Sequence, residues 1–294
     1  MRANKRKAFT LMEMLIALTI LSLVLMLASK GIITVLRMHR TQEATTLTQT
    51  KIRRVSEVIS QEVRGAILGG LADSPYPASD TSLSFALING GAGYPVTAIS
   101  SGAVEIVAQN LAAGDLQVGD NIMVTNKNGD SFIASINAIN GTVKHTISFN
   151  NCVTGVSYTP NSLLYKVKSI GYNYNPITKT LNYKIANQAQ QPVAFDISNF
   201  QISYIYSKSD GTTITLNSPL LAAGIPQKYG QIAGDDVSLV RLKLDMTAEA
   251  KDAAEHTISR SYSSQIGLVD TTVGAGKNVD NSQFVKVKGI KVCN

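Results

Sequence analysis

Three histidines, His39, His145 and His256, are the chain's only imidazoles. A zinc site needs two or three such ligands at set spacings, such as H-x-x-x-H on one helical face. These three lie in unrelated segments and read as surface or hydrogen-bonded histidines. A serine hydrolase needs a G-x-S-x-G elbow to expose its nucleophile, and none occurs. Gly274-Ala-Gly-Lys277 has the flavour of a phosphate loop, which cradles anions on backbone amides. Thr271 stands where the first glycine of that motif belongs, however, and Asn278 where a serine or threonine belongs. Asp235-Asp236 pairs two carboxylates without the ordered ligand series of a calcium loop, and reads as a solvated turn. The residue pattern therefore points to no enzyme, no metal and no cofactor.

Two further sets carry weaker chemistry. Cys152 and Cys293 are the chain's two cysteines, far apart in sequence. In an exported protein an even pair predicts a disulfide; no C-x-x-C motif competes. Lys277, Lys286, Lys288 and Lys291 make the C-terminal stretch basic. Lys286 and Lys288 alternate with Val285, Val287 and Ile290, as on one face of a strand. Such a stripe is what phosphate contacts to DNA require. No aromatic residues are interleaved for stacking, and a solubilising strand edge is the commoner use.

The most unusual titratable group is Glu13. It is the one charged residue among the 21 from Phe9 to Ser29. An apolar helix of that length spans roughly 30 Å, about a bilayer core. A carboxylate inside it costs several kcal/mol at depth and is seldom retained without a partner. Ahead of it lie Arg2, Lys5, Arg6 and Lys7. These four supply over half of the net charge of +7, leaving +3 on the rest. A basic head before an apolar run predicts a single membrane helix with the head in the cytoplasm and the remainder across the membrane. The run exceeds the core of a secretory signal, and no small-x-small site ends it before Lys30.

The remaining elements frame that helix. Residues 14–28 are apolar on every face. From Gln42 to Leu68 the pattern turns amphipathic, with Leu47, Ile52, Val55, Ile59, Val63, Ala66 and Ile67 at steps of mostly three and four. No proline precedes Pro75, so one helix of about 60 residues is expected, ending at Gly69-Gly70. Residues 71–100 read as loop, with one strand at Leu83–Leu87. Short strands follow at 103–108, 121–126, 131–139 and 142–150, separated by turn residues. They suggest a small β module at about 103–157, inserted in a larger head. A second series is predicted at 163–168, 171–175, 180–184, 197–208, 212–216, 237–247, 257–268 and 284–292. In Val237–Thr247 the face carrying Ser238, Val240, Leu242, Leu244 and Met246 is the expected buried side. The fold class is α+β.

Ala8-Phe9-Thr10-Leu11-Met12-Glu13, with its basic head and apolar sequel, resembles the cleavage and methylation motif of type IV pilins and type II secretion pseudopilins. The resemblance implies a leader of residues 1–8, cut by a prepilin peptidase between Ala8 and Phe9, and N-methylation of Phe9. It implies an anchor at 9–30 in inner-membrane lipid, an amphipathic continuation at 31–70 and a β-rich head at 71–294 outside the cytoplasm. Glu13 would pair with the new amino terminus and register the subunit against neighbouring pilins. Ala8 stands where the family usually has glycine. "LLYKVKSIGYNYNPITKTLNYK", "VSLVRLKLDMTAEAK" and "HTISRSYSSQIGLVD" are similar to PilW-like minor pilins and, more distantly, to J-type pseudopilins. The expected protein is a minor pilin that primes or caps a filament, then reaches the pilus at the cell surface, serving DNA uptake, twitching or adhesion. Alternatives are a type II secretion minor pseudopilin or, from another class, a membrane-anchored DNA- or glycan-binding protein.

Overall fold

The computed structural model describes residues 11–89, 93–100, 102–107, 115–126, 128–142, 144–150, 162–186, 188–252, 255–268 and 287–293. The chain opens with α1 (Leu11–Arg64), then β1 (Ala66–Leu71), β2 (Ser82–Ile88), β3 (Tyr94–Ser100), β4 (Ala103–Val107) and β5 (Asn121–Thr125). Next come β6 (Asp130–Asn140), β7 (Lys144–Phe149), β8 (Leu163–Asn175), β9 (Thr180–Ile185), β10 (Gln191–Ala194) and β11 (Ile197–Lys208). The last are β12 (Thr213–Leu216), β13 (Leu220–Ala222), β14 (Ile225–Gln227), β15 (Tyr229–Ile232), β16 (Asp235–Lys251), β17 (Thr257–Gly267) and β18 (Gly289–Cys293). One long apolar helix followed by a mostly antiparallel β head is a pilin-like α+β fold.

α1 holds 54 residues, which at 1.5 Å per residue is ~80 Å of rod. Its first part, through Leu47, buries nothing large. Then Thr48, Ile52, Ser56, Ile59 and Val63 form a buried stripe at steps of three and four. That stripe packs on β16 and β17. Facing it in the same core are Leu83, Phe85, Ile170, Tyr172 and Leu181 from one sheet, and Phe200, Tyr204, Leu242 and Leu244 from another. Each fully buried isoleucine or leucine there contributes about 1.5–3 kcal/mol of transfer free energy.

The helix stops at Arg64, short of the glycine pair at 69–70. Gly65 makes the turn, donating to the Gln61 carbonyl at 3.1 Å. The next six residues leave the helix to pair with β2, Ala66 opposite Leu87 and Leu71 opposite Phe85. Gly70 thus serves packing and not termination. A Cβ there would lie 2.7 Å from Val287 and 3.0 Å from Ile290, which fill its space.

β8 belongs to two structures. Its second half pairs with β2 and β9, in the sheet whose buried residues share the main core with those of β11 and β16. Its first half closes a barrel through ladders running β8–β3–β4–β7–β6–β5 and back to β8. Neighbouring strands are antiparallel throughout. Val96, Val104, Ile106, Ile122, Phe132, Ile147, Phe149 and Leu164 fill the interior. The barrel takes β4, β5, β6 and β7 together with β3, in a stretch that reads as loop, and the start of β8. A third apolar cluster, with Ala72, Met123, Ile133, Tyr165, Val287 and Ile290, joins barrel to head. β18 lies in that junction, parallel to β6.

β16 differs from its expected alternation. Its buried residues are Val237 and Leu239, then Leu242, Leu244, Met246 and Ala248. The two halves use opposite parity because the register with β11 shifts between Ile205/Arg241 and Tyr206/Leu239. The bulge takes up Val240 and turns the early part of the strand over.

The exposed stalk and its acid as candidate functional site

The site is the first half of α1. From Leu11 to Met38 its large apolar side chains are between 49% and 83% exposed. Intermediate hydroxyls are satisfied inside the helix: Thr19 Oγ1 donates to the Ile16 carbonyl and Ser22 Oγ to that of Thr19, both at 2.8 Å. Thr34 Oγ1 does the same with Lys30 at 2.9 Å. A helix whose polar groups are internally bonded and whose apolar surface is bare is built for a non-aqueous surrounding. Among the described helices it is the one long and apolar enough to cross a membrane. Glu13 is the acidic residue of its first described turn, exposed among leucine and methionine side chains. Ala8 and Phe9 lie outside the described residues.

At the other end of α1, polar contacts fasten the stalk to the head. Tyr172 donates its hydroxyl to Glu62 Oε2 at 2.5 Å. Its ring packs against Phe85 and Tyr183. Burial, reinforced by the Glu62 carboxylate, drives the Tyr172 pKa well above the ordinary phenol value. Lys51 Nζ reaches the Phe195 carbonyl at 3.0 Å and Asp196 Oδ2 at 3.4 Å. Sequence periodicity sets Glu62 with the solvated polar residues. Only the fold reveals that a phenol comes down onto it, and no local signal marks the pairing.

Of the C-terminal lysines, Lys286 lies outside the described residues. Lys288 is 3.7 Å from Asp130, and Lys291 is half-buried on β18. β18 is no open edge. β6 flanks it on one side and the Ala72–Asp73 segment on the other, where Val292 donates to Asp73 Oδ1 at 2.8 Å. Burial raises the Asp73 pKa, while the Val292 N–H and Lys291 act against it. Cys293 is buried in the barrel cluster; Cys152 lies outside the described residues.

The other titratable groups stay dispersed. His39 is exposed. His145 sits on β7 with Nδ1 buried and unbonded, and His256 lies 3.4 Å from Asp252. Asp235 pairs with Lys208 at 2.8 Å, and Asp236 accepts from Gln231 at 2.9 Å. No group of three metal-ligating side chains forms among the described residues. The Gly274–Lys277 stretch lies outside them.

Residues 3–29 match the family described as the prokaryotic N-terminal methylation motif. No curated protein and no solved structure matches the chain. The match covers the basic head and most of the apolar run. It supports a type IV pilin-like subunit, processed by prepilin peptidase, held in a membrane and assembled with other pilins.

Proposed function

We propose that the chain is a minor pilin of a type IV pilus. It inserts in the inner membrane by α1 with its head outside the cytoplasm, and primes or caps a filament assembled through the same helix. The observation that carries this is Glu13: an acid one turn into a bare apolar stalk that begins with a methylation motif. Cleavage between Ala8 and Phe9 leaves an amine, methylated, at Phe9. In an apolar bundle that cation and the Glu13 carboxylate attract strongly, and each offsets the other's desolvation. A neighbour's stalk offers the apolar partner that the exposed leucines lack. A head built of a barrel beside a helix-backed sheet is bulky, which favours a single place at a filament end over repetition along a thin shaft.

Cys152 and Cys293 form the disulfide in this proposal, joining the sequence that follows β7 to the end of β18. The absence of any free cysteine among the described residues supports it. A DNA-contacting role would rest on Lys286, Lys288 and Lys291, of which Lys288 already has an acidic neighbour in Asp130.

The test is the mass of the amino-terminal peptide from the producing cells. A peptide starting at monomethylated Phe9 is expected. An intact Met1 terminus, in cells that process other prepilins, overturns the proposal. Glu13→Ala keeps the chain in the membrane fraction and lowers its recovery in sheared filaments several-fold.

A further inference from the structure

β17 presents a long strand edge that the described residues of the head leave bare. It pairs with β16 over 11 residues in unbroken register, from Arg241 opposite Gly267 to Lys251 opposite Thr257. No other strand pairs with it among the described residues. Proteins ordinarily blunt such edges with prolines, lysines, bulges or shortness. The neighbouring free edges follow that rule: β12 and β15 are four residues each, and β10 is four with Pro192 among them. β17 has no proline, no lysine and no bulge, and Arg260 is its one charge.

Its side chains suit an incoming strand. Thr257, Ser259, Ser261, Ser263 and Gln265 alternate along the outer face, all exposed. They are too polar for indiscriminate aggregation and too small and uncharged to repel a partner. On the inner face Ile266 is buried, while Ile258 and Tyr262 are only half-covered, Tyr262 against the core that α1 shares. A further strand would complete their cover and satisfy the open row of backbone groups, the mode of recognition by strand addition.

Two copies of this chain do not fit that role. Antiparallel pairing of two β17 edges is generated by a two-fold axis normal to the sheet. α1 packs on the face of that sheet, on β16 and β17, so its axis lies along the sheet plane and the two-fold reverses it. Stalks embedded in one membrane must point the same way. A copy docked without the two-fold would offer, among the described residues, the short edges named above or β1, six residues long with a register shift.

We infer that the β17 edge, alongside the stalk, receives an extended strand from the head of a different pilin-like subunit whose stalk runs parallel to this one. This rests on the assembly function proposed above. The interface would continue the stalk-to-stalk contact into the head and make the pairing specific for that subunit.

The test uses the full-length protein in the producing cells, with a photoreactive phenylalanine analogue replacing Ser259, Ser261 or Ser263. Thr215 on β12 and Leu21 on the stalk serve as separate control positions. The expected result is crosslinking from the β17 positions, several-fold above Thr215, to an extended segment of another methylation-motif protein. Crosslinks from β17 only to a second copy, or none while Leu21 joins pilin-like neighbours, overturn the inference and leave the assembly function standing. Silence at Leu21 as well as at β17 counts against both.

Discussion

One continuous helix carries two opposite surfaces. Between Leu11 and Leu36, apolar residues dominate every side and are exposed. Between Thr48 and Arg64 they are fewer, and Ile52, Ile59 and Val63 are 2% exposed or less. The backbone does not distinguish the halves; the spacing of the polar residues does. In that lower part polar side chains are scarce, and the hydroxyls of Thr19, Ser22 and Thr34 bond back to the helix, as suits an apolar medium. In the upper half they occupy one side and leave a stripe for the sheet. The stripe belongs to the head's folding, the bare surface to whatever lies around the molecule.

The largest expected effect separates those two roles. Ile59→Ala empties a fully buried site and should destabilise the head by about 2–5 kcal/mol, as large-to-small core changes do. Leu21→Ala removes as much apolar surface from the stalk and should leave head unfolding unchanged. Thermal unfolding of both full-length variants in the same detergent, followed by circular dichroism, measures the contrast. Equal shifts would mean that the stalk helps hold the head together and that the two halves are not functionally distinct.

A smaller effect tests the polar seam between helix and sheet. Tyr172→Phe leaves the Glu62 carboxylate without its phenolic donor and should cost about 1.5–3 kcal/mol, the range for bonds to charged groups. Alkaline pH strains the head at several such phenols together. Burial lifts Tyr94, Tyr165 and Tyr206 to about 12, and Tyr172 and Tyr204 further. Their protons are held more tightly folded than unfolded. Stability is therefore full below the unfolded phenol value of about 10 and declines as pH rises above it, because the unfolded chain deprotonates first. The melting temperature should hold from pH 8 to about 9.5 and then fall, with a shallower fall in Tyr172→Phe. A profile flat to pH 11.5 contradicts the buried state of these tyrosines.

What the sequence made legible follows the range of the interactions. The helix, the hairpin strands around Ser209-Asp210-Gly211 and the long strand β11 are set by local spacing and turn chemistry, and β11 falls at Ile197–Lys208 as expected. The barrel is not local. Its closure depends on Leu163 and Leu164 having β3 on one side and β5 on the other. Tyr94–Ser100 follows a Gly-rich stretch and contains Pro95, so it has the composition of a loop. The end of α1 misled for a similar reason: the 69–70 glycines are a valid helix stop, but Gly70 is needed where β18 crosses. In the stalk, Glu13 stands out from composition alone because the surrounding residues are so uniform. Glu62 does not stand out, since any polar residue on an amphipathic helix has solvent as its default partner.

The smallest effect asks whether the buried stripe is as well matched as it is buried. Ser56 is 1% exposed, and its hydroxyl has no hydrogen-bond partner. Thr48, in the same stripe, differs: its hydroxyl donates to the Ala44 carbonyl at 2.7 Å. A buried hydroxyl left unbonded forfeits its hydration with no return, and removing it with little change in shape recovers about 1 kcal/mol. Ser56→Ala should therefore raise the melting temperature of the full-length protein by a few degrees. Leu47, exposed near the start of the buried stripe, tolerates the same truncation without change. A loss of stability in Ser56→Ala would mean that the oxygen is bonded after all, most simply by a water held between helix and sheet. The upper half of α1 would then be a hydrated seam and no longer the dry counterpart of the stalk.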